Sequence, residues 1–456
     1  VFIVGGNQSS GGFGVDNSCI FESGAKIVNT FGSTTNRRTF TVSIWIKKCS
    51  TTTEQNFVFA GDLSGSNPYF DARFDSNQII NWYCSNGGGS EEFNLKTNRR
   101  LLDPFAWYHI VLAVDTTQGT DTNRLKLYIN GVQETSFSKS NYPSQNFDTP
   151  FNVQNYESSY GNIRNNTPNY DGYYSEIVLI DGQQLDPTSF GEFDSDSGIW
   201  KPIDVSGLTF GNNGYYLDFE DSSDLGQDVS GNDNDFTLTN IAAIDQVTDT
   251  CTNNYPTYNT LQPVSTTGSV SYFIGNLKAS TPSSGGHAPM SSFAVPKSGK
   301  WYWEVKIDSV SGNISDNLRI GMQVFDIDNF TNPTLGDIRY ISNATKNVDG
   351  SNSSYGATYG SGDIIGVAVD SDGNSVEFFK NGSSQGSISY TQNSSDYFAV
   401  TSEASGSVAA TYLFNFGNPI FSISSGNSDA NGYGNFEYSV PSGHYALNTK
   451  NLAEYG

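Results

Sequence analysis

From Arg124 to Asn130 the apolar residues Leu125, Leu127 and Ile129 alternate with Arg124, Lys126 and Tyr128, the period of two that turns one set of side chains toward a core. Asn130-Gly131 follows, and this pair supplies the positive φ angles of a two-residue hairpin. The preceding run, Tyr108 to Val114, is apolar on both faces except at His109, which predicts a central strand with His109 packed inside it. Trp107 to Gln133 therefore reads as a strand pair closed by a tight turn. A second Asn-Gly, Asn381-Gly382, ends a similar run, and the echo predicts two β domains.

The same period recurs along the chain. Phe40 to Lys47, with Phe40, Val42, Ile44 and Ile46 alternating, then Asn56 to Ala60, Tyr69 to Phe74 and Ile79 to Cys84 read as strands separated by turn clusters such as Asn86-Gly87-Gly88-Gly89. Ser136 to Asn169 reads as a long polar loop. Residues from about 240 to 296 are rich in Thr, Ser, Pro and Gly and predict a connector with one strand at Ser269 to Leu277. Beyond it, Gly299 to Ile307 turns Trp301, Trp303, Val305 and Ile307 to one face, a heavy core anchor.

Composition agrees with an all-β chain: charged residues are scarce at 15%, and no stretch sustains helical periodicity over three turns. With 47 acidic against 23 basic residues the net charge is −24, which opposes nucleic-acid backbones and anionic membranes. No run of about 18 apolar residues is present, so no helical membrane insertion is expected. Cys19, Cys49, Cys84 and Cys251 lack Cys-x-x-Cys spacing and are expected as buried free thiols. Residues 1–16 are Gly- and Ser-rich, as in an arm ordered by contact with another protein.

The order of Trp-Tyr-His-Ile-Val at 107–111, Leu-Tyr-Ile-Asn-Gly-Val at 127–132 and Tyr-Asp-Gly-Tyr-Tyr-Ser-Glu-Ile at 170–177 closely resembles the laminin G-like, concanavalin A-like jelly roll. Leu185 to Phe193, Gly198-Ile199-Trp200-Lys201-Pro202, Gly214 to Phe219 and Asp228 to Phe236 resemble the version carried by tailed-bacteriophage fibre-like proteins. In the second half, Trp301-Tyr302-Trp303-Glu304, Ile320-Gly321-Met322, Gly362 to Asp370, Val376 to Gly382 and Phe414-Asn415-Phe416-Gly417 resemble a SPRY domain, another binding sandwich.

Candidate chemistry is sparse. Glu192, Asp194 and Asp196 alternate as a glycosidase pair would, but flanking Gly191 and Gly198 predict a solvated turn. Gly382-Ser383-Ser384-Gln385-Gly386, with Asp396 and His444 downstream, spells a nucleophile-elbow string in a place where no helix follows. Three histidines and no paired-Cys or His-Glu-x-x-His motif argue against zinc chemistry here. The laminin G-like resemblance implies a calcium ion at the sandwich rim, with Asp115, Asp121 and Asp171 as carriers, set against solvated loop carboxylates. Tyr156, Tyr160, Tyr170, Tyr173 and Tyr174, interleaved with Asn155, Asn162, Asn165 and Asn166, are the residue types that stack on sugars and bond their hydroxyls; the alternative is that these tyrosines pack on their own sheet or on neighbouring copies.

The expected fold is all-β, with two tandem antiparallel β-sandwiches: an attachment arm at 1–16, a laminin G-like, concanavalin A-like jelly roll at 17–240, a connector at 241–296 and a SPRY-like sandwich at 297–456. The expected function is that of a non-enzymatic surface protein of a phage virion, a tail or head fibre made in the host cytoplasm. It would bind a host surface glycan through loops that include Tyr156, Tyr160, Asn165, Asn166, Tyr170 and Tyr173, and other virion proteins through the arm. A homotrimer is implied by the resemblance, and no cofactor is required beyond the calcium ion considered above. Alternatives are a capsid or tail decoration protein that binds other virion proteins, and a polysaccharide-degrading enzyme.

Overall fold

The computed structural model describes residues 12–22, 24–51, 53–62, 68–161, 170–262, 269–283, 286–312, 318–325, 336–403 and 408–456. Strands make up both of its compact units, which divide between Asn253 and Asn254. In the first unit they are, in chain order, β1 (Ser18–Phe21), β2 (Lys26–Thr30), β3 (Thr39–Lys48), β4 (Gln55–Gly61), β5 (Tyr69–Phe74), β6 (Ile79–Ser85), β7 (Glu91–Arg100), β8 (Tyr108–Asp115), β9 (Leu125–Ile129), β10 (Val132–Gln133), β11 (Phe137–Asn141), β12 (Glu157–Gly161), β13 (Gly172–Asp181), β14 (Gly191–Phe193), β15 (Trp200–Pro202), β16 (Tyr215–Leu217), β17 (Thr237–Thr239) and β18 (Gln246–Val247).

One sheet runs β10-β9-β8-β3-β13-β1-β18 with β16 beside β13, and the other runs β11-β7-β6-β5-β4-β12-β2-β17. The main core lies between them: Phe40, Val42, Ile44 and Ile46 of β3 and Leu125, Leu127 and Ile129 of β9 meet Phe70, Ala72, Trp82, Phe93 and Leu95 of the facing sheet. As its apolar residues on both faces predict, β8 is central, flanked by β3 and β9.

The outer face of β8 is apolar because it too is covered. Val111, Ala113, Tyr128, Val178 and Ile180 pack beneath Phe190, Val205, Phe210 and Tyr216. The β14–β15 hairpin closes the same face. Trp200 lies against the Asn130-Gly131 turn, where a Cβ on Gly131 would meet the indole at 2.3 Å. His109 stacks between Trp45 and Trp200, with ring centroids 4.8 and 5.9 Å away.

In the second unit one sheet consists, in order, of Ser271–Phe273, Lys278–Thr281, Val408–Asn415, Lys300–Gly312, Ile364–Asp370, Ser375–Lys380 and Ser383–Ser389, with Tyr445–Ala446 added in parallel to Lys300–Gly312. The other consists of Met290–Val295, Tyr397–Glu403, Leu318–Val324, Asp337–Ile341, Asn343–Val348 and Ser351–Thr358. Trp301, Trp303, Val305 and Ile307 all enter the core between them. The two Asn-Gly turns are built alike. Asn130 and Gly131 have φ of 48° and 76°, and Asn381 and Gly382 have 48° and 77°. Each Asn side chain also accepts a backbone N–H from the neighbouring strand, that of His109 at 2.8 Å and that of Ile364 at 2.9 Å.

The tandem antiparallel sandwiches agree with the expectation, while several local readings differ. Ser136 to Asn169, read as loop, contains β11 and β12, and β12 sits between β2 and β4. Its polar residues stay buried because the hydroxyls of Ser158 and Tyr160 meet that of Tyr215 at 2.7 and 2.8 Å. Within 241–296, read as connector, β18 and the segment to Asn253 join the first unit, and Ser271–Phe273, Lys278–Thr281 and Met290–Val295 are strands of the second. The buried pair Lys47–Asp249, 2.6 Å apart, holds the first of these, with the Trp107 indole donating to the same carboxylate at 3.0 Å. Residues 1–11 of the arm lie outside the described residues, and Val15 is already buried, its N–H donating to Thr252 at 3.0 Å. All four cysteines are free and buried, as expected.

Candidate functional site

Strands β4 to β7 turn Phe57, Ala60, Phe70, Ala72, Trp82, Phe93 and Leu95 inward, so alternation turns a second set of residues to the outer face of the sheet. Register groups these into two rungs. One runs Asn56, Arg73, Asn81, Lys96 and Lys139; the next runs Ser159, Phe59, Asp71, Tyr83, Asn94 and Asn141. Directly paired positions place side chains about 5 Å apart, so each rung is a continuous strip of functional groups.

The strip is polar and aromatic together. Phe59 stacks on Tyr69 at 6.1 Å, Tyr69 meets Tyr83 at 5.6 Å, and the Arg73 guanidinium lies 6.0 Å from the Tyr83 ring centre. Arg73 pairs with Glu54 at 3.2 Å and Asp71 at 3.4 Å. At the far edge Glu91 accepts from Lys139 at 2.6 Å, Asn94 at 2.9 Å and Asn141 at 3.1 Å. Slight burial pushes the Glu91 carboxyl up, but these donors outweigh it and hold the group below its ordinary value. At the opposite edge burial pushes Glu157 up, with Lys26 opposing.

The side chains of Asn56, Asn81 and Asn94 are nine-tenths buried or more, at 5%, 4% and 5% exposure, yet each amide oxygen lacks a hydrogen-bond partner among the described residues. Folded proteins satisfy the great majority of such groups, and a buried acceptor left open costs roughly 1–3 kcal/mol. Three such acceptors, on β4, β6 and β7, share one face of the sheet.

The binding candidates read from the sequence lie elsewhere. Tyr160, Tyr170 and Tyr173, expected to present their rings to a sugar, are fully buried, as is Tyr174. Tyr170 lies 4.5 Å from Tyr174 and donates to the carbonyls of Lys47 at 3.2 Å and Tyr173 at 3.1 Å, and Tyr173 receives the Lys47 ammonium 5.2 Å from its ring centre. Packing on their own sheet, the alternative reading, is what these tyrosines do. Tyr156 is half-buried against the main core, and Asn165 and Asn166 lie outside the described residues. The signal for the candidate strip was present in the polar members of β4 to β7, Asn56, Asp71, Arg73, Asn81 and Asn94, which recur at strand period opposite the core residues.

The three calcium candidates are not brought together. Asp115 pairs with Thr39 and Gly172, next to Asp171, pairs with Lys48, so Asp115 and Asp171 occupy opposite ends of β3, roughly 30 Å apart at 3.3 Å per residue. Asp115 already accepts from Thr117 at 2.6 Å and Gln118 at 2.6 Å, and Asp121 is exposed and accepts the Thr122 N–H at 2.7 Å. Burial, with Glu22 adding to it, pushes Asp171 up to about 7. Among the described residues no three His, Cys, Asp or Glu side chains are grouped to hold an ion.

Asp194 serves its own turn: Ser197 donates twice at 2.9 Å, which with Lys201 at 3.2 Å pulls the carboxyl down to about 2. The nucleophile-elbow string forms no triad, since Ser384 donates to Glu377, Asp396 pairs with Lys297 at 3.3 Å, and His444 lies near Lys300 and Asp370. A depression of about 220 Å³ is lined by Thr35 to Thr39 and Asp148, where Arg38 and Asp148 pair at 2.7 Å.

Residues 22–183 match the model of the concanavalin A-like lectin/glucanases superfamily, and residues 300–418 match that of the SPRY domain. No curated protein matches the chain. Among solved structures, the SPRY domain of human HERC1 is 16% identical over 30% of this chain and 87% of that one, with a TM-score of 0.28. A heptameric SAP-like pentraxin from Limulus polyphemus is 14% identical over 38% and 78%, with a TM-score of 0.28. Domain 4 of AbnA, a GH43 extracellular arabinanase from Geobacillus stearothermophilus solved with arabinotriose, is 20% identical over 38% and 73%, also with a TM-score of 0.28.

Proposed function

We propose that this chain, which carries a concanavalin A-like domain followed by a SPRY domain, is a recognition protein whose first sandwich binds glycan on the outer face of β4 to β7. The observation that carries the reading is the pair of rungs, where buried amide oxygens of Asn56, Asn81 and Asn94 stand open beside the Tyr69 and Tyr83 rings. Hydroxyl donors meet the first need and the C–H face of a pyranose meets the second. The reading is one of binding and contains no reaction. A glycan array probed with the wild-type chain and with Tyr83→Ala tests it: signals that the substitution removes support it, and an array without signals, or signals that persist in the variant, ends it.

We place this binding on the surface of a phage virion, with host glycan as ligand and an oligomer, a trimer by resemblance, multiplying weak contacts. What supports the setting is the phrase order Leu185 to Pro202 and Asp228 to Phe236. In the same proposal the arm at 1–16 attaches the chain to other virion proteins. Antibody labelling of intact particles tests it, since a receptor binder lies at a distal tip and a connector at the shell or baseplate.

A further inference from the structure

We propose that Lys47 and Asp249 react with each other, joining the end of β3 to the last segment of the first unit by an isopeptide bond between Nζ and Cγ. Nζ stands 2.6 Å from Oδ2, so with a C–O bond of roughly 1.2 Å it lies within about 4 Å of Cγ, near the roughly 3–3.5 Å of a near-attack arrangement. Both side chains are closed off from water, at 1% and 0% exposure. The Tyr173 ring, whose residue pairs with Lys47 across β3 and β13, lies 5.2 Å from Nζ, and the Trp107 ring lies 6.1 Å from that of Tyr173. Asp249 is held from its other side, where its carbonyl accepts the Ser18 hydroxyl at 2.6 Å. Strand pairing thus fixes the amine, and the seam of β1 and β18 fixes the acid.

The step balances without oxidant or cofactor. Transfer of one proton from the ammonium to Oδ2 gives an amine and an acid. The amine lone pair forms the C–N bond at Cγ, the C–Oδ2 bond breaks, and the hydroxyl leaves as water with a second proton from nitrogen. The Trp107 indole N–H, donating to Oδ1 at 3.0 Å, sits where negative charge gathers on the attacked carboxyl. Burial supplies the driving force: an ion pair taken out of water bears the desolvation of two charges, and the amide bears none. Lys139 and Glu91 make the contrast, since they also approach to 2.6 Å but are 44% and 27% exposed, so water keeps them an ordinary ion pair. The new bond closes the chain from β4 to β18 into a covalent loop. Tension applied at Val15 and Asn254 then passes through β1 to β3 and the bond, and leaves β4 to β7 unloaded.

The test is the intact mass of the full chain, purified folded and then denatured, followed by tryptic mapping. The expected wild-type mass is one water below the sequence value, with no cleavage after Lys47 and a branched peptide that carries Lys47 and Asp249. Lys47→Arg, which keeps the charge and lacks the amine, should return to its full sequence mass, and the Lys139 and Glu91 peptides should be unlinked in both proteins. A wild-type mass equal to that of the sequence, unchanged after prolonged incubation of the folded protein, would overturn the proposal. So would a lost water that persists in Lys47→Arg or maps to other residues. The wild-type mass decides by itself, so the outcome does not hang on whether the variant folds.

Discussion

The indole N–H of Trp200 donates to Nδ1 of His109 at 2.9 Å, and the other ring nitrogen of His109 meets the Ser43 hydroxyl at 2.8 Å. With Nδ1 accepting, the neutral ring carries its proton on Nε2 and donates it to Ser43. The Gly-Ile-Trp-Lys-Pro phrase thus ends in a side chain that fixes a histidine of the central strand. Trp200→Phe keeps the stacking but leaves a buried acceptor open, and should cost roughly 1–3 kcal/mol in urea unfolding of the first unit.

Burial pushes His109 down to about 3 from 6.5. The unfolded chain takes up this proton below about 6.5 and the folded one does not until about 3. Its contribution is therefore present above 6.5 and is lost as pH falls, by about 1.4 kcal/mol per unit across that window. Equilibrium unfolding between pH 3 and 7 should show this acid limb in the wild type and a flatter one in His109→Gln.

Glu176 has the opposite sign. It stands at an irregularity of β13 with φ of 49°, accepts the Tyr216 hydroxyl at 2.6 Å, and is pushed up to about 8 by burial, which outweighs that bond. A carboxyl held protonated in the folded state contributes stability in full below about 4.5, which is lost as pH rises through about 8. Glu176→Gln, neutral at every pH, should remove this alkaline loss from the unfolding profile.

Gly131→Ala should destabilise the first unit by about 1–3 kcal/mol, because φ of 76° disfavours a Cβ and that Cβ would enter the Trp200 ring. In a Trp200→Ala background the clash is gone and only the backbone cost remains. A double-mutant cycle by thermal unfolding measures the difference, and additivity of the two changes would contradict the packing described.

Asn81→Leu should raise stability by about 1 kcal/mol while weakening glycan binding, since it replaces a buried amide with an open acceptor by an apolar side chain of similar size. A melting temperature that falls instead would mean the amide is satisfied in the free protein.

What the sequence made legible was local. Leu125, Leu127 and Ile129 announce their face by alternation, and Asn130-Gly131 announces a turn whose φ angles need no tertiary help. β12 was hidden because Ser158 and Tyr160 owe their burial to Tyr215, more than fifty residues further along the chain. The same long-range partners explain why the tyrosines looked like sugar platforms: a Tyr with its hydroxyl satisfied in a core and one waiting for a ligand have the same letter. The rungs of the candidate site stayed out of sight for a related reason. Asn56, Arg73, Asn81 and Lys96 become neighbours through the register of four strands, which no single segment encodes.

Val15 accepts from the hydroxyls of Thr250 and Thr252 at 2.8 and 2.9 Å, and β1 pairs with β18 beside the Lys47–Asp249 pair. The chain therefore enters and leaves the first sandwich through one buttoned seam. With its two ends side by side, residues 12–253 inserted into an exposed loop of an unrelated scaffold should fold there without stretching either junction.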